Sequence, residues 1–128
     1  MSAKRRVSIW LSRFFVLHFV IDIVFALPLF FFPGAFLGFF GIETFNPLFV
    51  RLVAAALFGI GIESLLGRNG SVEAFKAMLN LKIIWSSAAV LGIIISLQEI
   101  AADLIIWLIL LTFIAFNLLW VYWRIRLA

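Results

Sequence analysis

Four apolar stretches, each about as long as a bilayer is thick, decide what this chain can fold into. A helix that crosses the ~30 Å hydrocarbon core needs ~20 apolar residues. Stretches of that length lie at about 7–32, 47–66, 73–97 and 101–123. A span must satisfy its backbone polar groups internally, which a helix does within one segment. The sequence therefore predicts an all-α fold, an integral membrane four-helix antiparallel bundle made of one transmembrane domain over residues 1–128.

The composition excludes a soluble domain. Of the 128 residues, 66% are apolar and 12% are charged, and the mean hydropathy is +1.26. Soluble domains are roughly 45–50% apolar and about 25% charged. A domain this small cannot bury so much apolar surface inside itself, because small domains keep much of their surface exposed. The chain has no Cys, which also excludes a disulfide framework.

Residues with positional preferences mark where the helices begin and end. Asn46 suits the N-cap of the second span, and Pro47 suits its first helical position. Gly67 suits the C-cap of that span, and Ser71 the N-cap of the next. Pro28 is expected to kink or end the first helix. The segment 33–45 is apolar but too short to span, which predicts an interfacial or re-entrant element.

The placement of the basic residues predicts the orientation of the chain in the membrane. Eight of the ten lie at one side of the apolar stretches, at Lys4, Arg5, Arg6, Arg68, Lys76, Lys82, Arg124 and Arg126. The two connecting segments at the other side carry Glu43, Glu99 and Asp103 but no Lys or Arg. By the positive-inside rule, both termini are cytoplasmic. The net charge of +4 is thereby explained by membrane topology, and we expect no nucleic-acid partner.

Five ionisable residues lie well inside the predicted spans, where a charge is costly and usually functional. They are His18, Asp22, Arg51, Glu63 and Lys82. Heights estimated at ~1.5 Å per residue pair Asp22 with Arg51 and Glu63 with Lys82. His18 and Asp22 are four residues apart and share a helix face. Each pair either holds helices together or belongs to a binding site or ion pathway, and Glu63 and Lys82 can instead extend to the cytoplasmic interface.

Helical periodicity predicts the faces that turn inward. On the first span this face comprises Leu11, Phe15, His18, Asp22 and Phe25. On the second span the stripe that we expect to pack on the first comprises Arg51, Ala55, Gly59 and Glu63, because small residues let membrane helices approach closely. On the fourth span Asn117 is placed in the interior, and Ser86 and Ser87 of the third span are candidates for the same polar seam.

The first half of the chain resembles a known group of membrane proteins. Residues 29–41 read LFFFPGAFLGFFG, and residues 46–61 read NPLFVRLVAAALFGIG. This pattern is similar to DoxX-like and related uncharacterised four-helix proteins, in which an early Arg and a small-residue run follow a Gly-bearing loop. The resemblance implies a four-helix bundle in a prokaryotic inner membrane, with Arg51 as the residue that carries over. Some such proteins are subunits of membrane redox assemblies.

Three functions stay open at this point. The first is a non-catalytic accessory or structural subunit of a membrane complex, whose partners are the lipid bilayer and other membrane subunits or further copies of the chain. The second is a small solute or proton-coupled transporter that uses a seam of His18, Asp22 and Arg51. The third is a membrane enzyme that acts on a lipid or quinone, with His18 and Asp22 as its acid-base pair.

Motifs do not favour catalysis. The sequence contains no nucleophile elbow and no phosphate-binding loop. One His without Cys is too few ligands for a usual transition-metal site. We therefore expect no catalytic residues, no metal and no cofactor. The candidates for a binding site or ion pathway are His18, Asp22, Arg51, Glu63, Lys82 and Asn117.

Reporter fusions test the predicted orientation. We expect a C-terminal alkaline phosphatase, which is active only outside the cytoplasm, to be inactive because Arg124 and Arg126 keep that end inside. The same reporter inserted after Glu99 serves as the matched control and is expected to be active. An active C-terminal fusion together with an inactive fusion at Glu99 would contradict the orientation.

Overall fold

A computed structural model describes residues 7–101 and 103–127, and these residues are helical with no strand. The helices are α1 (Ile9–Phe31), α2 (Pro33–Phe39), α3 (Pro47–Leu66), α4 (Val72–Ser96) and α5 (Leu104–Arg126). All but α2 are long and apolar enough to cross a membrane. The chain is therefore a small all-α membrane protein, as predicted. The basic residues at positions 4–6 lie outside the described residues.

The chain divides into two compact units. We call residues 7–70, which contain α1, α2 and α3, the first hairpin. We call residues 71–101 and 103–127, which contain α4 and α5, the second hairpin.

In the first hairpin, α1 and α3 pack side by side in antiparallel directions. Hydrogen bonds at both ends show the direction. The Ser12 hydroxyl donates to the Arg68 carbonyl at 2.6 Å, near the start of α1 and just after the end of α3. At the opposite end, Nε of Arg51 donates to the Phe30 carbonyl at 3.0 Å.

The short helix α2 lies between these two spans in sequence and packs on α1. The rings of Phe36 in α2 and Phe25 in α1 meet edge to face, with centroids 5.9 Å apart. Helix α2 begins at Pro33 and has 7 residues, and it occupies the first part of the segment predicted to be interfacial or re-entrant. Gly41, just beyond the helix, has a φ of 80°, a left-handed conformation that Gly adopts without a steric penalty.

The predicted capping residues occupy their expected places. The Asn46 side chain accepts a hydrogen bond from the Leu48 amide at 2.9 Å, and Pro47 is the first residue of α3. The Ser71 side chain accepts one from the Ala74 amide at 3.1 Å at the start of α4. Gly67 is the C-cap of α3. These contacts satisfy amides that a helix leaves without intrahelical partners.

The predicted end of the first span agrees with the structure, whereas the start of the last span differs. Helix α1 continues past Pro28 to Phe31, and the Phe32 amide donates to the Pro28 carbonyl at 2.8 Å. Pro lacks only its own amide, so the turn after it can still form. Helix α5 begins at Leu104 rather than near residue 101, because Asp103 takes the extended conformation of an N-cap, with φ −85° and ψ 162°.

The second hairpin is also antiparallel. Nε of Arg124, near the end of α5, donates to the Asn80 side chain in the first half of α4 at 2.8 Å. Further along, the rings of Trp85 and Phe113 meet with centroids 6.5 Å apart. The turn between the helices contains Glu99, whose amide donates to the Ser96 carbonyl at 2.9 Å.

Candidate functional site

The buried face of α1 carries the first candidate site. Its buried residues are Leu11, Phe15, His18, Asp22 and Ala26. The first four are as predicted, but Phe25 is 43% exposed and Ala26 is buried instead. The spacing of four that joins His18 to Asp22 leads on to Ala26, so the small residue continues the stripe.

His18 and Asp22 are predicted to share one face of the first helix, and the structure places their side chains together. Nε2 of His18 lies 3.4 Å from Oδ1 of Asp22. His18 is 7% exposed and Asp22 is 5% exposed. An imidazole beside a carboxylate in an apolar region can hold a proton between them, or it can serve to orient and satisfy the carboxylate.

Gly61 of α3 packs directly on Asp22. A Cβ added to Gly61 would lie 2.8 Å from Cβ of Asp22, closer than real Cβ contacts come. Cβ of Asp22 is fixed to its backbone, so the two helices would have to separate to accommodate any larger residue. The two helices therefore approach closely at the carboxylate, and the glycine permits it.

The prediction of which face of α3 packs on α1 is wrong. The predicted stripe of Arg51, Ala55, Gly59 and Glu63 is exposed. The buried residues of α3 are Ala54, Gly61 and Ser64. Small residues lie on both faces of this helix, so their presence alone does not identify the interface.

The predicted pairing of Asp22 with Arg51 is also wrong. Asp22 contacts Gly61, whereas Arg51 bonds the carbonyl of Phe30. Along α3, Arg51 and Gly61 are ~15 Å apart at 1.5 Å per residue. The estimated heights failed because the start of α3 lies level with the end of α1, where Arg51 meets Phe30, and the middle of α1 lies level with Gly61.

Arg51 instead caps the end of α1. Phe30 is the next-to-last residue of that helix, and the last carbonyls of a helix lack intrahelical donors. The chain turns at Phe32 into α2, whose first residue is Pro33, a residue without an amide hydrogen. The Arg51 guanidinium supplies a donor there, and its positive charge suits the negative end of the helix dipole.

A polar cluster in the second hairpin is centred on Asn117. Its Nδ2 donates to the hydroxyls of Ser86 at 2.8 Å and Ser87 at 2.9 Å. It also lies 3.4 Å from the carbonyl of Ile83. The sequence predicts one polar seam that includes Asn117, Ser86 and Ser87, and within this hairpin the structure brings the three together, so that the amide joins α5 to α4.

Lys82 lies one turn before this cluster and is 2% exposed. Its Nζ lies 5.0 Å from the centroid of the Trp120 ring, which is 1% exposed. A cation over the face of an indole is attracted by the ring quadrupole, most strongly where water is excluded. Glu63 lies in the first hairpin, and its pairing with Lys82 stays a prediction.

Sequence reasoning missed three residues of these sites. They are Gly61, Asn80 and Trp120. Trp120 follows Asn117 by three residues, so helical spacing places both on one face and would have identified it. Gly61 was not identified, because Gly59 and not Gly61 lies at the four-residue spacing that begins at Arg51.

The described residues offer no group of three His, Cys, Asp or Glu side chains that could hold a metal ion. Comparisons of the chain with family models, with curated proteins and with solved structures find no match. The function must therefore be inferred from the contacts within the chain.

Replacement of two nearby glycines tests the close approach at Asp22. We expect Gly61→Ala to lower the free energy of unfolding by about 1–3 kcal/mol, the usual effect of overpacking. Gly59→Ala is the matched control, because nothing lies within 4 Å of a Cβ at that position. The control is expected to be neutral or slightly stabilising. Thermal unfolding in detergent, followed by Trp fluorescence, measures both, and equal effects would contradict the contact.

Truncation of Asn117 tests the polar cluster of the second hairpin. We expect Asn117→Ala to destabilise the protein by about 0.6–2 kcal/mol, the range for interhelical hydrogen bonds in membranes. Thr112→Ala is the control, because the Thr112 hydroxyl bonds only the Leu108 carbonyl of its own helix, at 2.8 Å. SDS titration in mixed micelles measures the difference. A Thr112 variant as unstable as the Asn117 variant would count against the interhelical role.

Proposed function

We propose that the protein is a non-catalytic accessory or structural subunit of a membrane complex. One observation carries this proposal: in each hairpin a polar side chain of one span is engaged in holding the other span. Asn117 joins α5 to α4, and Arg51 joins α3 to the end of α1. A residue that moves a substrate or proton must exchange partners during its cycle, whereas these contacts define the pairing of each hairpin.

The outward surface suits lateral contact with lipid and with other spans. Large apolar side chains stay exposed on each long helix, among them Val24 of α1, Leu52 of α3, Ile84 of α4 and Leu111 and Leu118 of α5. Lipid tails are as apolar as these side chains, so such a surface remains in the bilayer or packs on another helix through shape. A subunit that contributes helices to a larger assembly needs this kind of surface.

The membrane and orientation belong to the same proposal. The resemblance of residues 29–41 and 46–61 to DoxX-like proteins supports a prokaryotic inner membrane. The basic residues Arg68, Lys76, Arg124 and Arg126 support cytoplasmic termini. With this orientation α2 lies on the outer side, where its aromatic residues meet the headgroup region.

A proton-coupled transporter is the second candidate, and one observation favours it. His18 and Asp22 are a buried ionisable pair near the middle of α1. Ionisable groups at such positions mark proton relays in many membrane proteins. Gly61 packs directly on Asp22, however, so α3 covers one side of the carboxyl group.

Reconstitution of the purified protein distinguishes the two candidates. We expect wild-type proteoliposomes to maintain an imposed proton gradient as well as empty vesicles do. We expect Asp22→Asn and His18→Gln to lower the thermal midpoint, because both side chains belong to the packed face of α1. Dissipation of the gradient by the wild type but not by an equally stable Asp22→Asn protein would contradict the proposal and establish transport.

Isolation of the tagged protein from its own membranes in a mild detergent tests the assembly itself. We expect a native complex of fixed stoichiometry that is larger than a single chain and its micelle. Deletion of the gene is expected to reduce the amount of that complex, and the wild-type gene should restore it. A chain that migrates alone, with no other membrane complex altered by the deletion, would overturn the subunit role.

A further inference from the structure

We propose that Arg51 binds the phosphate of a membrane phospholipid, in the leaflet next to α2. Arg51 lies one turn inside α3, ~6 Å from Pro47 along the helix axis at 1.5 Å per residue. Its side chain is exposed, although its helix is one of those suited to cross the membrane. An exposed cation at this depth requires an anion or water at the interface.

The bond to Phe30 orients the guanidinium without exhausting its donors. Nε makes the 3.0 Å bond to the Phe30 carbonyl. Arginine has five N–H donors in a planar fork, so four remain on the two terminal nitrogens. These nitrogens form the pair that binds two oxygens of one phosphate. Because the carbonyl holds the base of the fork, less side-chain freedom is lost when the phosphate binds.

The charge of Arg51 is not balanced within the first hairpin. Among residues 7–70, no carboxylate lies within 4.0 Å of the Arg51 guanidinium. Lys76, by contrast, lies 3.2 Å from Glu73. The abundant anion at the height of the first turn of a span is the lipid phosphate, and it is the occupant that charge complementarity selects.

The surface beside Arg51 suits the rest of a lipid molecule. Large apolar side chains at this end of the first hairpin stay exposed, among them Phe31, Phe32, Leu48 and Phe49. Leu48 is 61% exposed and lies three residues before Arg51, on the same side of α3. Aromatic side chains favour the boundary between headgroups and tails. A phosphate on the guanidinium therefore has apolar side chains at its own height, and the acyl chains run along the deeper part of α3, where Leu52 is 56% exposed.

Lipid titration of the delipidated protein in a nonionic detergent tests the proposal. We expect short-chain phosphatidylglycerol to raise the thermal midpoint of the wild type. Diacylglycerol with the same chains lacks the phosphate, and inorganic phosphate lacks the chains, so neither is expected to reproduce the shift. Arg51→Gln should need at least about tenfold more phosphatidylglycerol for the same shift of the thermal midpoint, because a charge-assisted hydrogen-bond pair is lost. Arg126→Gln is the matched control and should respond as the wild type does, because the Arg126 guanidinium lies over the Tyr122 ring instead.

A second variant keeps the test decisive where Arg51→Gln fails to fold. Arg51→Lys keeps the positive charge and can donate to Phe30, but it lacks the fork. We expect its apparent affinity for phosphatidylglycerol to lie between those of the wild type and Arg51→Gln. Equal lipid responses of the wild type and both Arg51 variants would overturn the proposal. An equal shift with inorganic phosphate or diacylglycerol, or an equal loss in Arg126→Gln, would also overturn it.

Discussion

The contact between Asp22 and Gly61 is the constraint on which the first hairpin depends. Lipid provides no hydrophobic driving force between helices, so their association relies on close packing and on polar contacts. At Asp22 and Gly61, close packing and a polar contact occur at the same place. A carboxyl group buried beside His18 is covered by the backbone of a glycine rather than by a side chain. With the distance between α1 and α3 set here, the bonds of Ser12 and Arg51 close the two ends of the hairpin.

The second hairpin reaches the same result through side-chain contacts. Along α4, polar groups occur at Asn80, Lys82 and Ser86, and each meets a different residue of α5. The partners on α5 follow in the reverse order along the chain, as they do between antiparallel helices. A shift of one helix along the other would therefore break all three contacts together. In an apolar environment each broken contact leaves a polar group without a partner, which is more costly than in water. Polar contacts thereby select one register among many of similar apolar packing.

The sequence predicted the spans and their caps better than it predicted their packing. Span length is set by the bilayer, and caps such as Asn46 and Ser71 act within one turn, so both are local properties. The interior position of Asn117 was also predictable, because one polar residue on an apolar helix has few alternatives. The buried face of α3 was not, because this helix is apolar all round and has small residues on both faces. The pairing of Asp22 depended on the axial register, and a shift of a few residues at one helix end changes every partner.

The polar residues of the spans differ in how many hydrogen-bond donors, and how much charge, remain free to bind a ligand after their contacts within the hairpin are made. This difference distinguishes a structural residue from a candidate binding residue. The Nδ2 group of Asn117 is shared among acceptors on α4, so that group is committed to the helix pair. Arg51 is committed through Nε alone, and the bond goes to a backbone carbonyl that has no charge to neutralise the guanidinium. A neutral acceptor fixes the geometry of the side chain and leaves its net charge in place. The residue that closes one end of the first hairpin is therefore also suited to bind an anion from outside the chain.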